Sequence, residues 1–302
     1  MTRYLEHALA GDATSADEWN EHLIAFHLTY PDVTAKIVGA FHTADGETSY
    51  QRLARHAREH SPSARRVVDI GCGSGELLHH LNLTYDRAIE LTGIDLSASE
   101  LAFARRRVPG ATLICGDVAQ TLPVEQVDVV VAHLSFLSMA RLSDALRRIH
   151  DVLVPGGLLT FIVEDLSASE SVVTIVAPLM RVLHERYPEL DLAVPGREGA
   201  ENELTMRALL KTAGFTGAVE VEPIVLSAHL SDDQIAEFAL RSYPFGLLDE
   251  SAQTALRERL LSNRSHSKDE RTLVKLPLKL VTARRANGIS TDRPPARMEY
   301  TQ

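Results

Sequence analysis

Residues 67–78 read VVDIGCGSGELL, an apolar run that breaks into Gly71, Gly73 and Gly75 and then into a helix-forming stretch. Glycine permits positive φ, and its missing Cβ lets a ligand lie against the main chain. A dinucleotide fingerprint would need a third glycine at position 76. This chain has Glu76 there, an acid where a pyrophosphate would sit at the helix N-terminus. Asp69, just before the loop, suits instead a ligand with a cationic amino-acid end. Asp95 closes the run LTGID, where a carboxylate can accept hydrogen bonds from both hydroxyls of a ribose. In CGDV at 115–118, Asp117 can accept from the exocyclic amine of adenine, while Leu96 and Val118 offer apolar contact to the ring faces.

These residues must be carried by strands and helices in alternation. The short apolar runs 67–70, 91–94, 112–115, 127–132 and 158–163 lack clean alternation, as strands do when both faces of a parallel sheet are covered. Helical segments separate them: SASE at 97–100 has the spacing of a capping box, and 141–153 is amphipathic and stops at Pro155-Gly156-Gly157. Repeated strand–helix units predict a doubly wound α/β domain. Before it, residues 1–63 read as helical. A capping box opens at Ser15–Glu18, Leu23, Phe26 and His27 share a face, Pro31 ends that helix, and a second carries Ile37, Val38 and Phe41. A third helix follows the Asp45-Gly46 turn and ends at Ser61-Pro62. After the fifth strand, the pattern predicts a helix over 167–187 that Pro178 kinks or splits, a shorter one over 203–212, and a sixth strand over 219–226. Two helices, the first opened by a capping box at Ser231–Gln234, precede a final strand over 271–284 and a mobile tail at 286–302.

With 31 basic against 41 acidic residues, the chain carries a net charge of −10, which argues against a nucleic-acid partner. The arginine clusters at 105–107 and 284–285 read as solvated element ends. The N-terminus lacks a signal-peptide apolar core and no run is long enough to span a bilayer, so no membrane partner and a cytoplasmic location are expected. Cys72 and Cys115 offer neither a disulfide framework nor metal-ligand spacing, and both are expected in the interior.

The ordered set of Asp69 with the glycine loop, Gly-Ile-Asp95, Gly-Asp117 and Leu153-x-Pro-Gly-Gly-x-Leu159 resembles the class I S-adenosylmethionine-dependent methyltransferases over about residues 66–226. The resemblance implies a Rossmann-like seven-stranded sheet of order 3-2-1-4-5-7-6 with strand 7 antiparallel, and S-adenosyl-L-methionine as cofactor. It further implies that Asp69, Gly71, Cys72, Gly73 and Gly75 line the methionine moiety, Asp95 takes the ribose, Leu96 and Val118 flank adenine, and Asp117 faces its amine. His133 and Leu134 would close the methionine side. The segment AHLSF at 132–136 departs from the Asn/Asp-Pro-Pro-Tyr of enzymes that methylate amino groups of bases and glutamine.

Ligands of an open α/β sheet bind beyond the carboxyl ends of its strands. The N-terminal helices (1–63) and the insertions 165–205 and 227–270 in a core spanning 64–285 are therefore expected to form a helical lid over a small-molecule substrate, with a homodimer contact as their other use. Trp19, His22, His27, Tyr30 and Tyr50 are the candidate lid residues. Tyr50 is also a candidate cover for the cofactor carboxylate, and Tyr4 a further wall residue. His133, beside the expected methyl, is the first candidate base, followed by Glu164 and Asp165 at the end of strand five. The expected activity is EC 2.1.1-class methyl transfer to an O, N or C atom of a small molecule, such as a secondary metabolite. The alternative is a cyclisation or rearrangement catalyst that binds the same cofactor without transferring its methyl.

Overall fold

The computed structural model describes residues 1–85, 88–165, 172–194, 202–243, 245–262 and 271–287. Its seven strands are β1 (Arg66–Ile70), β2 (Glu90–Asp95), β3 (Thr112–Cys115), β4 (Val127–His133), β5 (Leu153–Glu164), β6 (Glu220–Leu230) and β7 (Thr272–Arg284). They form one sheet in the order β3-β2-β1-β4-β5-β7-β6, the expected order. β7 runs antiparallel to both its neighbours.

Alternation along the strands sends side chains to two separate layers. Val67, Val129, Val131, Leu158 and Ile162 meet Leu53, Ala54 and Ala57 of α4 (Ser49–His60), Leu77, Leu78 and Leu81 of α5 (Glu76–Thr84), and Leu101 of α6 (Ala98–Arg107). Val68, Ile70, Val130, Ala132, Leu159 and Phe161 meet Leu142, Leu146 and Ile149 of α7 (Leu142–Val152) and Met206 and Leu210 of α9 (Glu203–Thr212). Burial on both sides explains why these runs carry no polar face.

The remaining helices gather at the carboxyl ends of the strands. They are α1 (Arg3–Ala10), α2 (Ala16–Thr29), α3 (Val33–Val38), α8 (Val172–Arg186), α10 (Asp232–Leu240) and α11 (Glu250–Leu261). Because β6 is parallel to β5 and β7 returns antiparallel, the segment joining β6 to β7 must begin and end at that same edge. α10 and α11 pack on each other, α11 packs on α8, and Asp191 N donates to Ala8 O of α1. No helix among the described residues is long and apolar enough to cross a membrane.

Several local expectations change. Within the stretch read as helical, α1 precedes the helix opened at Ser15 and is itself opened by Thr2 and closed by Gly11 in the left-handed conformation. Phe41 lies beyond α3, which ends at Val38, yet it is buried. α4 does not belong to the lid, because it packs on β4, β5 and α5 as part of the sheet's own covering layer. Pro155-Gly156-Gly157 is inside β5, whose register against β4 shifts between Val127 and Val129. β6 runs on to Leu230, extending its pairing with β7, and Ser227 and His42 exchange both backbone hydrogen bonds across its outer edge. α8 continues through Pro178 rather than splitting. Cys115 is exposed because β3 is an edge strand. Arg107 is no solvated end: it donates to Ser74 O and Oγ at 2.7 Å and pairs with Glu76, bracing the glycine loop. Residues 288–302 of the tail expected over 286–302, and parts of both insertions, lie outside the described residues.

The capping boxes at Ser15–Glu18 and Ser231–Gln234 are reciprocal as expected. Ser231→Ala should lower unfolding stability by about 1 kcal/mol, read as a shift in the urea midpoint with an unchanged slope.

Candidate functional site

The floor of the site is the turn that follows β1. Gly71, Gly73 and Gly75 all have positive φ, at 68°, 49° and 82°. Gly71 N and Cys72 N both donate to Ile94 O of β2, at 2.8 and 3.1 Å. A Cβ on Gly71 would stand 2.4 Å from that of Ser135, so the loops after β1 and β4 are in direct contact there. At Gly73 the nearest atom to such a Cβ is Glu100 Oε2 at 3.7 Å, an ordinary van der Waals contact. Gly73 N donates to Asp95 Oδ2 and Ser97 N to Asp95 Oδ1, both at 2.8 Å. The second lone pairs of both oxygens remain for a ligand. Cys72 is buried against the Gly93 main chain, and burial pushes its thiol well up, consistent with packing rather than reactivity.

Above this floor is a cleft lined by Asp69, Glu76, Asp95, Glu100 and Asp117, with Arg141 as the one guanidinium among the described lining residues. Such a wall favours a cationic ligand. Asp69 is the extreme case. It is 1% exposed, and neither carboxylate oxygen has a hydrogen-bond partner. Burial, with Asp95 nearby, drives its pKa well above the ordinary range. An unpaired buried carboxylate is costly, and an ammonium group placed in this cleft would satisfy it. The residues therefore fit S-adenosylmethionine: Asp69 toward the amino-acid end, Asp95 toward the ribose, and Leu96 and Val118 as apolar wall.

Asp117 differs from the simple expectation, because the chain already engages it. Its Oδ1 accepts from Ala119 N at 2.8 Å, and its Oδ2 accepts from Arg141 at 3.0 Å, Gln120 at 3.2 Å and Asn20 at 3.3 Å. The SASE box is also incomplete. Ser97 caps Glu100 N, but the Glu100 side chain turns instead to Asp32 N at 2.7 Å and His27 Nδ1 at 3.1 Å.

His133 and Leu134 line the cleft as expected, Leu134 in the left-handed region at φ 59°. His133 Nε2 meets Ser49 Oγ at 2.8 Å, and its ring stacks on Tyr50 at 3.9 Å. Burial pushes its pKa down to about 3. A group so reluctant to hold a proton is a weak general base, so the geometry makes His133 a wall residue. Asp165 is a correction: it is paired with Lys279 at 2.8 Å and does not line the cleft, nor does Glu164.

Of the lid candidates, His27 and Tyr50 reach the cleft and Trp19, His22 and Tyr30 do not. Trp19 Nε1 donates to Ser138 O at 2.6 Å, and Tyr30 Oη donates to Gly246 O at 3.0 Å. Both His22 nitrogens are engaged, by Thr2 Oγ1 and Tyr243 O. Tyr4 is wholly buried, its hydroxyl on Ala193 O. These side chains hold the lid together. Residues missed by the sequence reading include Asn20, Ile24, Thr34, Arg141 and Tyr243. The α2 stripe through Leu23 and His27 could have been extended back to Asn20. Tyr243, packed edge-on against Phe26 at 5.0 Å in the segment after α10, had no signal at all.

The Asp69 environment has a measurable consequence. Between its ordinary pKa of 3.8 and its raised folded value, the folded chain keeps a proton that the unfolded chain has released. Stability of the ligand-free protein must therefore fall as pH rises through that window and level off above it. Asp69→Asn should remove this part of the fall and stabilise the ligand-free protein at neutral pH, measured by thermal unfolding across the pH range.

Comparison with known proteins agrees with this geometry. A methyltransferase domain family matches residues 68–161. Trans-aconitate 2-methyltransferase of Acidovorax sp. (strain JS42) is 33% identical over 109 residues, 36% of this chain and 42% of that one. The dTDP-3-amino-3,6-dideoxy-alpha-D-glucopyranose N,N-dimethyltransferase of Streptomyces fradiae is 31% identical over 136 residues, 43% of this chain and 52% of that one. The chain thus spans about two fifths to one half of the length of these curated relatives. Among solved structures, Haemonchus contortus phosphoethanolamine N-methyltransferase 2, in complex with S-adenosyl-L-methionine, superposes with a TM-score of 0.51 at 18% identity, covering 91% of this chain and 61% of that one. The strand order and the matched segment agree: residues 68–161 carry a methyltransferase domain, and the chain resembles the class I S-adenosylmethionine-dependent methyltransferases, whose cofactor S-adenosylmethionine the cleft fits.

Proposed function

We propose that this protein transfers the methyl group of S-adenosylmethionine to an O, N or C atom of a small molecule, as a tailoring step of secondary metabolism in the cytoplasm. The observation that carries the reading is the unpaired, buried Asp69 carboxylate beneath an acid-lined cleft. Its support from relatives is that two curated proteins sharing the segment are named for small acceptors, an organic acid and a nucleotide sugar.

The cofactor, when bound, supplies an already activated methyl on a sulfonium. What remains for the chain is to hold, orient and exclude water. Asp69 and the glycine-loop main chain hold the amino-acid end, and Asp95, itself fixed by Gly73 N and Ser97 N, holds the ribose. Aligning an acceptor with the methyl can supply roughly 7–11 kcal/mol of the barrier without any proton transfer. Leu134, Tyr50 and His133 wall the methyl side, and Thr34 and Tyr243 roof it. Burial raises the Tyr243 phenol far above its usual range, so it stays neutral and can donate a hydrogen bond to an acceptor.

Calorimetry should give saturable binding of S-adenosylmethionine, weakened at least about tenfold by Asp95→Ala, which removes two hydrogen bonds to a charged group. Labelled methyl should appear in a small-molecule product of cell extract. Absence of binding at millimolar cofactor would sink the reading. Turnover that persists with S-adenosylhomocysteine would instead favour the cyclisation alternative. His133→Asn should keep turnover within about tenfold and leave the pH–rate profile unshifted, whereas a base would show a loss of about 10²–10⁴-fold.

A further inference from the structure

One face of α2 lies along the cleft. Asn20, Leu23, Ile24 and His27 all line it, at the i, i+3, i+4, i+7 spacing of a single helical stripe. From Asn20 to His27 the stripe covers about 10 Å. One end meets Asp117, just past β3, through Asn20 Nδ2. The other meets Glu100, whose carboxylate stands over Gly73, through His27 Nδ1. Between these ends the cleft floor is Asp95, Leu96 and Val118, the part suited to a nucleoside. Further bonds fasten the same helix at both ends. Trp19 Nε1 donates to Ser138 O, Arg141 bridges Asp17 and Asp117, and Ser99 Oγ donates to His27 O at 3.1 Å.

We propose that α2 is a strap over the nucleoside half of the cofactor rather than a wall for the methyl acceptor, with Asn20 and His27 as its cofactor-positioning residues. The proposal rests on the cofactor reading given above. Asn20 donates its amide N–H to Asp117, which leaves its Oδ1 as an acceptor in the cleft with no hydrogen bond among the described residues. Asp117 Oδ2 already accepts from Arg141, Gln120 and Asn20, so Asn20 Oδ1 is the acceptor this end of the strap offers to an N–H of an adenine amine. Hypoxanthine would present a carbonyl oxygen to it and be repelled. The strap is therefore fastened best when adenine is beneath it, and the nucleoside leaves only when α2 lifts.

The test uses the full chain with S-adenosylhomocysteine as probe. The single tryptophan of the sequence, Trp19, is on α2 and reports its movement by fluorescence. Asn20→Ala, Asn20→Asp and His27→Ala should each speed dissociation roughly threefold to tenfold, the loss expected for one net hydrogen bond. The Asn20 variants alone should also narrow the preference for S-adenosylhomocysteine over S-inosylhomocysteine. Asn20→Asp keeps the side-chain bulk and sets a like charge against Asp117, so it tests the contact even if the alanine variant is unstable. Dissociation rates within about twofold of the parent, with the base preference unchanged, would overturn the strap while leaving the cofactor reading intact. If the parent itself binds no S-adenosylhomocysteine, the cofactor reading falls and the strap falls with it.

Discussion

A carboxylate held out of water with nothing to bond it is unstable in isolation, and this fold keeps one at the centre of its ligand cleft. Asp69 stands at the end of β1 between β2 and β4, so no rearrangement of a surface side chain can relieve it. The glycine loop beyond it is fixed by Ile94 O and by contact with Ser135, and Arg107 braces it from outside. Such a site is fixed from several sides and lined by acids, which suits a cationic ligand. Binding energy is then available for orientation, because the floor does not have to reorganise when a ligand arrives.

The helical roof follows from the sheet rather than from helix propensity. An antiparallel β7 inserted beside β5 places both ends of the 231–271 segment over the carboxyl ends of the strands. That segment delivers Tyr243 to the cleft and lets its main chain grip His22 of α2. The segment after α8 ties down α1 through Asp191. The helices α1, α2, α8, α10 and α11 are therefore linked into one packed layer. A change in any of them can alter the cleft without touching a motif residue.

The histidines show how burial sorts identical side chains into different roles. His22 spends both nitrogens on lid packing, His133 is held neutral beside Ser49 and Tyr50, and His56 is buried beneath the sheet on Thr282. Only His27 of these lines the cleft with a carboxylate, Glu100, as its partner. Position along the chain distinguished none of them. His133 had the best placement next to β4, yet desolvation leaves it a weak base.

The amino-acid sequence alone determined the sheet, its strand order by resemblance, and the floor of the cleft from Asp69 to Asp117. Those features are local: a glycine needed for a turn, an acid at a strand end, an apolar run buried on both faces, each legible within a few residues. Tertiary structure decided everything that depends on distant segments meeting. Asn20 on Asp117, Tyr243 over the cleft, Asp165 spent on Lys279, and Glu100 turned away from its own cap toward His27 and Asp32 all join residues with no periodic or spacing relation. A side chain's protonation and partners are set by what the fold packs around it, and only the packed chain contains that information.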